Sequence, residues 1–283
     1  RQRPGNRFES VKTEQGEIME KRPTIALLTD FGNQDSYVAE VKAVILSINS
    51  NVNIIDITHR IEPQNILHGA LMLKRSVAFF PRHTIFVCVV DPEVGSERKI
   101  IYIDAQDYCF IAPDNGLLWM TVNDQDVRKV ITLANYNYFL SRIPSTFEGR
   151  DKMAPVAAYA SLGIESTQFG PTQSGIEKLE MPEPLRERDL LVGEIIYFDY
   201  FGNAITNISF ENLMENEAVS LPRVVHNSNE IGPIVSTFSE AVNGSPLAYF
   251  GSSGYLELAV NNGNFQRAMN AGPGDKVLVN YGK

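Results

Sequence analysis

Carboxylates at the ends of apolar runs are the first sign of chemistry in this chain. Thr24 to Leu28 leads into Thr29-Asp30-Phe31-Gly32, and Thr84 to Val90 leads into Asp91-Pro92. A carboxylate at a strand end can accept two hydrogen bonds from a vicinal diol or orient a water. It can equally cap the helix or turn that follows, and the residues alone leave Asp30 open between the two. Arg98 follows Asp91 across Pro92-Glu93-Val94-Gly95-Ser96-Glu97. Such a loop either folds acid and guanidinium onto one site or leaves a surface ion pair of little energetic weight. Phe201-Gly202-Asn203 offers a ring face for a base and an amide for a purine edge, or else a core Phe followed by an ordinary turn. Gly251-Ser252-Ser253-Gly254 offers N–H and hydroxyl donors suited to a carboxylate, or a plain turn.

The chain contains neither Gly-x-Gly-x-x-Gly after its first strand nor a Gly-x-x-x-x-Gly-Lys-Ser/Thr loop, so a ligand without phosphates fits better. The 25 basic and 34 acidic residues give a formal charge of −9 with no dense basic patch, which argues against a nucleic-acid partner. The two cysteines, Cys88 and Cys109, sit in apolar strand-like runs and read as buried thiols. Neither they nor His59, His68, His83 and His226 have metal-ligand spacing, so no metal is expected. No apolar run approaches the ~20 residues of a membrane span. The polar stretch from Arg1 to Lys21 lacks a secretion signal, so a cytoplasmic protein with a flexible leader over 1–22 is expected. The sequons at Asn207 and Asn243 then read as chance matches.

The elements that must hold these groups follow from periodicity. Val38, Val41, Ile45 and Ile48 recur at helical spacing within Tyr37 to Ile48, and Ile66 to Phe80 is again helical until Pro81. Strands are predicted at Thr24–Leu28, Asn53–Ile57 and Thr84–Val90, followed by a hairpin or meander over Lys99–Ile103 and Tyr108–Ile111. A further helix is expected around Met153 to Leu162. Alternating strands and helices predict an N-terminal α/β domain, residues 23–175, with a largely parallel sheet. A linker over 176–189 falls in a stretch rich in proline, glycine and charge. Beyond it, short strands at Leu191–Phe198, Ala204–Ile208, Ile234–Thr237, Leu247–Phe250, Tyr255–Val260 and Lys276–Val279 predict a smaller all-β, barrel-like domain over 190–283.

Taken together, the blocks resemble the S-adenosylmethionine hydroxide adenosyltransferases, relatives of the fluorinating and chlorinating enzymes that use the same substrate. The markers are Thr29-Asp30-Phe31-Gly32 with Asp35 and Tyr37, Asp56-Ile57-Thr58-His59, Val90-Asp91-Pro92, and Ala112-Pro113-Asp114-Asn115-Gly116-Leu117-Leu118. Further along come Gly149-Arg150-Asp151, Phe201-Gly202-Asn203-Ala204-Ile205-Thr206-Asn207-Ile208 and Ser252-Ser253-Gly254-Tyr255-Leu256. The resemblance implies hydrolysis of S-adenosyl-L-methionine to adenosine and L-methionine by water at ribose C5′, with no cofactor. It implies a homotrimer whose ligand lies between the N-terminal domain of one subunit and the C-terminal domain of its neighbour. Asp30 would then hold the ribose hydroxyls, and Phe201 and Asn203 the adenine. Asp35, Asp199, Ser252 and Ser253 would surround the methionine ammonium and carboxylate. Halogenating relatives carry a Tyr at the position of Asp91, and the fluorinating ones an extra loop where Asp104-Ala105-Gln106-Asp107 makes a short turn here. The resemblance therefore favours water over halide.

Three residues depart from the family pattern. Glu148 stands where the hydrolytic branch has the histidine of a Phe-His-Gly-Arg-Asp block, Glu93 replaces a usual glycine, and Gln64 replaces an aromatic against the ribose. With Asp91 and Arg98, Glu148 completes the candidate catalytic set: it either accepts a proton from water or disrupts the site by adding a second negative charge. A binding module that has kept the pocket without turnover is the alternative to an enzyme, and a halogenase is a third reading.

Overall fold

The computed structural model describes residues 10–12, 18–20, 22–140, 146–214 and 222–281. The chain divides into two compact units, Arg1–Leu179 and Glu180–Lys283. Within the segment expected as a leader, β1 (Ser10–Lys12) and β2 (Ile18–Glu20) pair as a short antiparallel ladder; the rest of 1–21 lies outside the described residues.

The N-terminal unit is built around β3 (Thr24–Thr29), whose residues are all buried. Side chains of a strand alternate between faces, and β3 uses both. Ile25 and Leu27 join one core with Val41 and Ile45 of α1 (Tyr37–Ile48). Ala26 and Leu28 join a second core with Ala70, Leu73 and Val77, on a helix that begins after β4 (Asn53–Thr58), α2 (Ile66–Val77). The remaining strands are β5 (Ile85–Val89), β6 (Ile100–Ala105), β7 (Cys109–Pro113) and β8 (Val127–Thr132), with α3 (Trp119–Val122) between the last two. The final helix, α4 (Ala154–Ser161), packs on the α1 side through Ala154, Ala157 and Ala158, small residues that allow close approach.

The sheet order is β4-β3-β5-β7-β6-β8. The pairs β3–β4, β3–β5 and β5–β7 are parallel, whereas β6–β7 and β6–β8 are antiparallel. The expected largely parallel sheet is therefore corrected to a mixed one. The reason is local: Ala105 N–H donates to the Tyr108 carbonyl at 3.0 Å, and so tight a turn reverses the chain instead of crossing over through a helix.

The C-terminal unit is a closed barrel. Its strands are β9 (Leu185–Glu187), β10 (Leu190–Phe198), β11 (Ala204–Ser209), β12 (Arg223–His226), β13 (Asn229–Val235), β14 (Pro246–Phe250), β15 (Tyr255–Val260) and β16 (Lys276–Asn280), with α5 (Phe210–Met214) and α6 (Phe265–Ala268) between strands. The order runs β11-β15-β14-β13-β12-β16-β10, and β10 pairs back with β11 to close the ring, leaving β9 on the outside of β10. Strict alternation of burial along β10 shows one face turned to the barrel core. Closure is tight at Gly193, where a Cβ would lie 2.5 Å from Asn207 Oδ1. Asn207 itself is buried and donates to the Pro182 carbonyl at 2.7 Å, so its sequon is not displayed. Both cysteines are buried and unbridged, and burial pushes the Cys88 thiol far up from its ordinary range. Among the described residues no helix is long and apolar enough to cross a membrane, and no group of three or more His, Cys, Asp or Glu is gathered as a metal site.

Candidate active site

Strand β5 is buried throughout and delivers Val89, Val90 and then Asp91 to its C-terminal end. Asn115 fixes that end by donating from Nδ2 to the Val90 carbonyl at 2.9 Å. The loop after Asp91 turns at Gly95, whose φ of +84° lies in the region that favours glycine, and brings Arg98 back onto the acid. Arg98 Nε donates to Asp91 Oδ1 at 2.7 Å, and Nη2 donates to Oδ2. The two side chains are only 5% and 6% exposed, so the surface-pair reading of this spacing does not apply. A fork that meets a carboxylate twice in a dry setting fixes the orientation of both groups.

Glu148 precedes a single π-helical turn, Gly149–Met153, that leads into α4. Its Oε2 accepts from the same Arg98 Nη2 that reaches Asp91. Its Oε1 accepts from Lys152, one helical turn further on. Burial raises the Glu148 pKa, but the hydrogen bonds from Lys152 and Arg98 outweigh it and hold the carboxyl below its ordinary range. For Arg98 burial works against the charge, and Asp91 and Glu148 together raise its pKa. The four groups alternate in sign: Lys152, Glu148, Arg98, Asp91. Glu148 thus has a cation at each oxygen, Arg98 at Oε2 and Lys152 at Oε1.

Of these groups Asp91 and Glu148 line a cavity of about 80 Å³, together with Asp30, Phe31, Val94 and Phe147. That is room for a few waters or for the reacting part of a larger molecule. Asp30 does not cap α1; its Oδ2 accepts from the Gln64 backbone N–H at 2.9 Å. Gln64 holds a φ of 65° to make that contact, so the residue at the position of the missing aromatic serves Asp30 through its backbone. The rings of Phe31 and Phe147 meet edge to face at 5.4 Å and supply the apolar wall. Phe31 is shared with a wider, open recess of about 440 Å³ that also includes Gly32, Asp35 and Arg60. Asp35 is exposed there, and Glu93 is exposed on the Asp91 loop. Arg150 turns away from the cavity: it binds its neighbour Asp151 at 2.7 Å and Glu40 of α1 at 2.7 Å, bracing the π turn.

The other expected ligand residues belong to the C-terminal unit. Asp199 Oδ1 accepts from the backbone N–H groups of Phe201 and Asn203 at 2.9 and 2.8 Å, and its Oδ2 accepts from Asn203 Nδ2 at 2.9 Å. Asp199 is therefore the organiser of the turn that carries Phe201 and Asn203. Gly202 has a φ of +82°, and a Cβ there would lie 2.0 Å from Asn264 Nδ2. The turn leaves Phe201 70% exposed, which is not a core position, while Asn203 is buried. Ser252 is exposed, and the Ser253 Oγ is buried without a hydrogen-bond partner. The 251–254 turn is closed by Gly254 N–H donating to the Gly251 carbonyl at 3.0 Å. Beneath it lies the buried Glu257, which accepts from Tyr249 Oη at 2.6 Å.

The sequence reading missed Lys152 and Glu257. The spacing of Glu148 and Lys152, one turn apart at the start of a helix, was the available signal for the first. For Glu257 the signal was a charged residue within an otherwise apolar strand, on the face opposite the core-facing Leu256, Leu258 and Val260.

Residues 25–170 match the SAM hydroxide adenosyltransferase N-terminal domain, and residues 193–278 match the corresponding C-terminal domain. The chain belongs to the S-adenosylmethionine hydroxide adenosyltransferase family. Relatives include the (R)-S-adenosyl-L-methionine hydrolase of Salinispora tropica, 32% identical with 93% of this chain and all of that one covered. A fluorinase from Actinopolyspora mzabensis is 26% identical over 91% of this chain and 97% of its own. The crystal structure of an uncharacterized conserved protein from Thermotoga maritima superposes with a TM-score of 0.82 at 35% identity, covering 90% of this chain and 99% of that one. The relatives thus include hydrolases and fluorinases by name.

Proposed function

We propose that this chain is an S-adenosyl-L-methionine hydrolase that forms adenosine and L-methionine. The observation that carries the reading is Asp91, fixed by Arg98 and lining the same small cavity as Asp30. Asp30 takes the ribose hydroxyls, which points C5′ at the Asp91 side of the cavity. A water that donates to Asp91 then lies in line with the C5′–S⁺ bond. Its oxygen forms the new bond to C5′, the sulfur leaves with the bonding pair as the methionine thioether, and the water's proton passes through Asp91 to solvent. The sulfonium is already a good leaving group, so orientation and water exclusion by Phe31, Val94 and Phe147 supply much of the acceleration. A halide beside Asp91 would be repelled, whereas a water is held.

Phe201 stacks on adenine and Asn203 bonds its edge, while Asp35, Asp199, Ser252 and Ser253 serve the amino-acid end. The unpartnered Ser253 hydroxyl supports that assignment, because a carboxylate would satisfy it. In keeping with the family resemblance, the ligand is bound in a homotrimer between the N-terminal domain of one subunit and the C-terminal domain of the next. No cofactor is used, and the site is cytoplasmic.

The test is incubation of the purified protein with S-adenosylmethionine and chromatography of the products. Adenosine formed by the wild type and abolished in Asp91→Ala supports hydrolysis. Tight binding without product would instead favour a binding module, and a halogenated nucleoside formed with chloride would favour a halogenase.

A further inference from the structure

Lys152 has no place in the chemistry described so far. It does not line the cavity, and its ammonium lies 5.9 Å from the centre of the Phe139 ring on its way to Glu148. Its hydrogen bond to Glu148 nevertheless decides the charge of the site. Asp91 and Arg98 form a neutral pair. Glu148 adds a buried negative charge in contact with that pair, and one arginine cannot neutralise two carboxylates. A buried charge without its own partner is strongly unfavourable and competes for whatever counter-charge is near. Here it would draw Arg98 off Asp91. Lys152 supplies the missing cation from the i+4 position, with Glu N-terminal to Lys, the favourable orientation for such a pair.

We propose that Lys152 is a positioning residue for the hydrolytic reaction: by neutralising Glu148 it leaves Arg98 free to hold Asp91 as the water-orienting carboxylate. The inference rests on the hydrolase reading and deepens it. It also accounts for how the family's histidine position tolerates a glutamate in this chain: the added negative charge is balanced within the same helical turn.

A double-mutant cycle tests it, with kcat and KM for S-adenosylmethionine measured by adenosine release. Single-turnover rates with enzyme in excess are used for slow variants. Lys152→Met is expected to lower kcat at least about tenfold with KM within about threefold, and Lys152→Arg to restore kcat to within about threefold of wild type. In a Glu148→Gln background the same Lys152→Met change is expected to cost less than about threefold, because no charge remains to be balanced. Thermal melts of each variant separate lost fold from lost rate. A purely structural lysine would lower the melting temperature and cost the same factor in both backgrounds, and that result overturns the inference. So does an unchanged kcat in Lys152→Met while the wild type turns over. No adenosine from the wild type would instead overturn the underlying reaction and this inference with it.

Discussion

Arg98 meets Asp91 through two hydrogen bonds, Nε to Oδ1 at 2.7 Å and Nη2 to Oδ2, across a loop that turns on Gly95. The arrangement aims the carboxylate without itself needing to bind substrate. Asp91→Asn keeps the volume but loses the charge and one of the two acceptors that Arg98 uses. It is expected to lower kcat by about 10²- to 10⁴-fold, with KM changed by less than about threefold. Steady-state kinetics with adenosine as the measured product checks this, and a large KM effect with kcat intact would contradict it.

Glu148 carries a pH dependence of stability whose sign follows from its surroundings. Its folded-state pKa lies below the ordinary 4.5, because hydrogen bonds from Lys152 and Arg98 outweigh the opposing effect of burial. A group with a depressed folded pKa contributes stability above its unfolded pKa and loses it as pH falls through the folded value. The melting temperature of wild type should therefore exceed that of Glu148→Gln at pH 6 to 7. The gap should close as the pH is taken below 4.5. Thermal melts across that range, in one buffer series at constant ionic strength, make the comparison.

Much of the N-terminal unit was legible because its strands are buried on both faces. Runs such as Thr24–Thr29 and Ile85–Val89 are continuously apolar, and the carboxylates that end them mark the site side of the sheet. In the barrel, Leu190–Phe198 alternates buried and half-buried residues, and Tyr255–Val260 is a short, mostly buried run between turn residues. What was not legible is what depends on pairing. The insertion of β7 rather than β6 beside β5, the pairing of the strand Arg223–His226 with Lys276–Asn280, and the pairings of β10 with β16 and of β11 with β15 in the ring are set by partners distant in sequence. At the site, Asp30, Asp91 and Arg98 could be singled out from strand ends and spacing. Whether Asp91 and Arg98 form a surface pair or a buried one could not, since burial is decided by Phe147 and Glu148 arriving from another element. The same holds for Asp199, whose three accepted hydrogen bonds come from its own turn.

Phe201 is exposed on a turn held by Asp199 and is assigned to the adenine ring. Aromatic stacking on a base is worth about 1–3 kcal/mol, so Phe201→Ala should raise KM for S-adenosylmethionine about 5- to 140-fold with kcat nearly unchanged. Because the side chain is solvent-facing, the melting temperature should stay close to that of wild type. Isothermal calorimetry with adenosine as ligand reports the same loss without relying on turnover.

Gly202 allows no side chain. Its positive φ and the Asn264 amide beneath it make Gly202→Ala strained at the backbone and crowded at Cβ. The expected cost is about 1–2 kcal/mol of stability from the backbone alone. Adenosine affinity should fall with it, as Phe201 and Asn203 shift. Denaturant unfolding and calorimetry on the same preparation check both halves.

The central claim is that a water molecule attacks C5′ of the ribose. Turnover of S-adenosylmethionine in ¹⁸O-labelled water, followed by mass spectrometry of both products, tests it most directly. The account predicts one ¹⁸O atom in the 5′ hydroxyl of adenosine and none in methionine. Unlabelled adenosine, or label recovered in methionine, would contradict it.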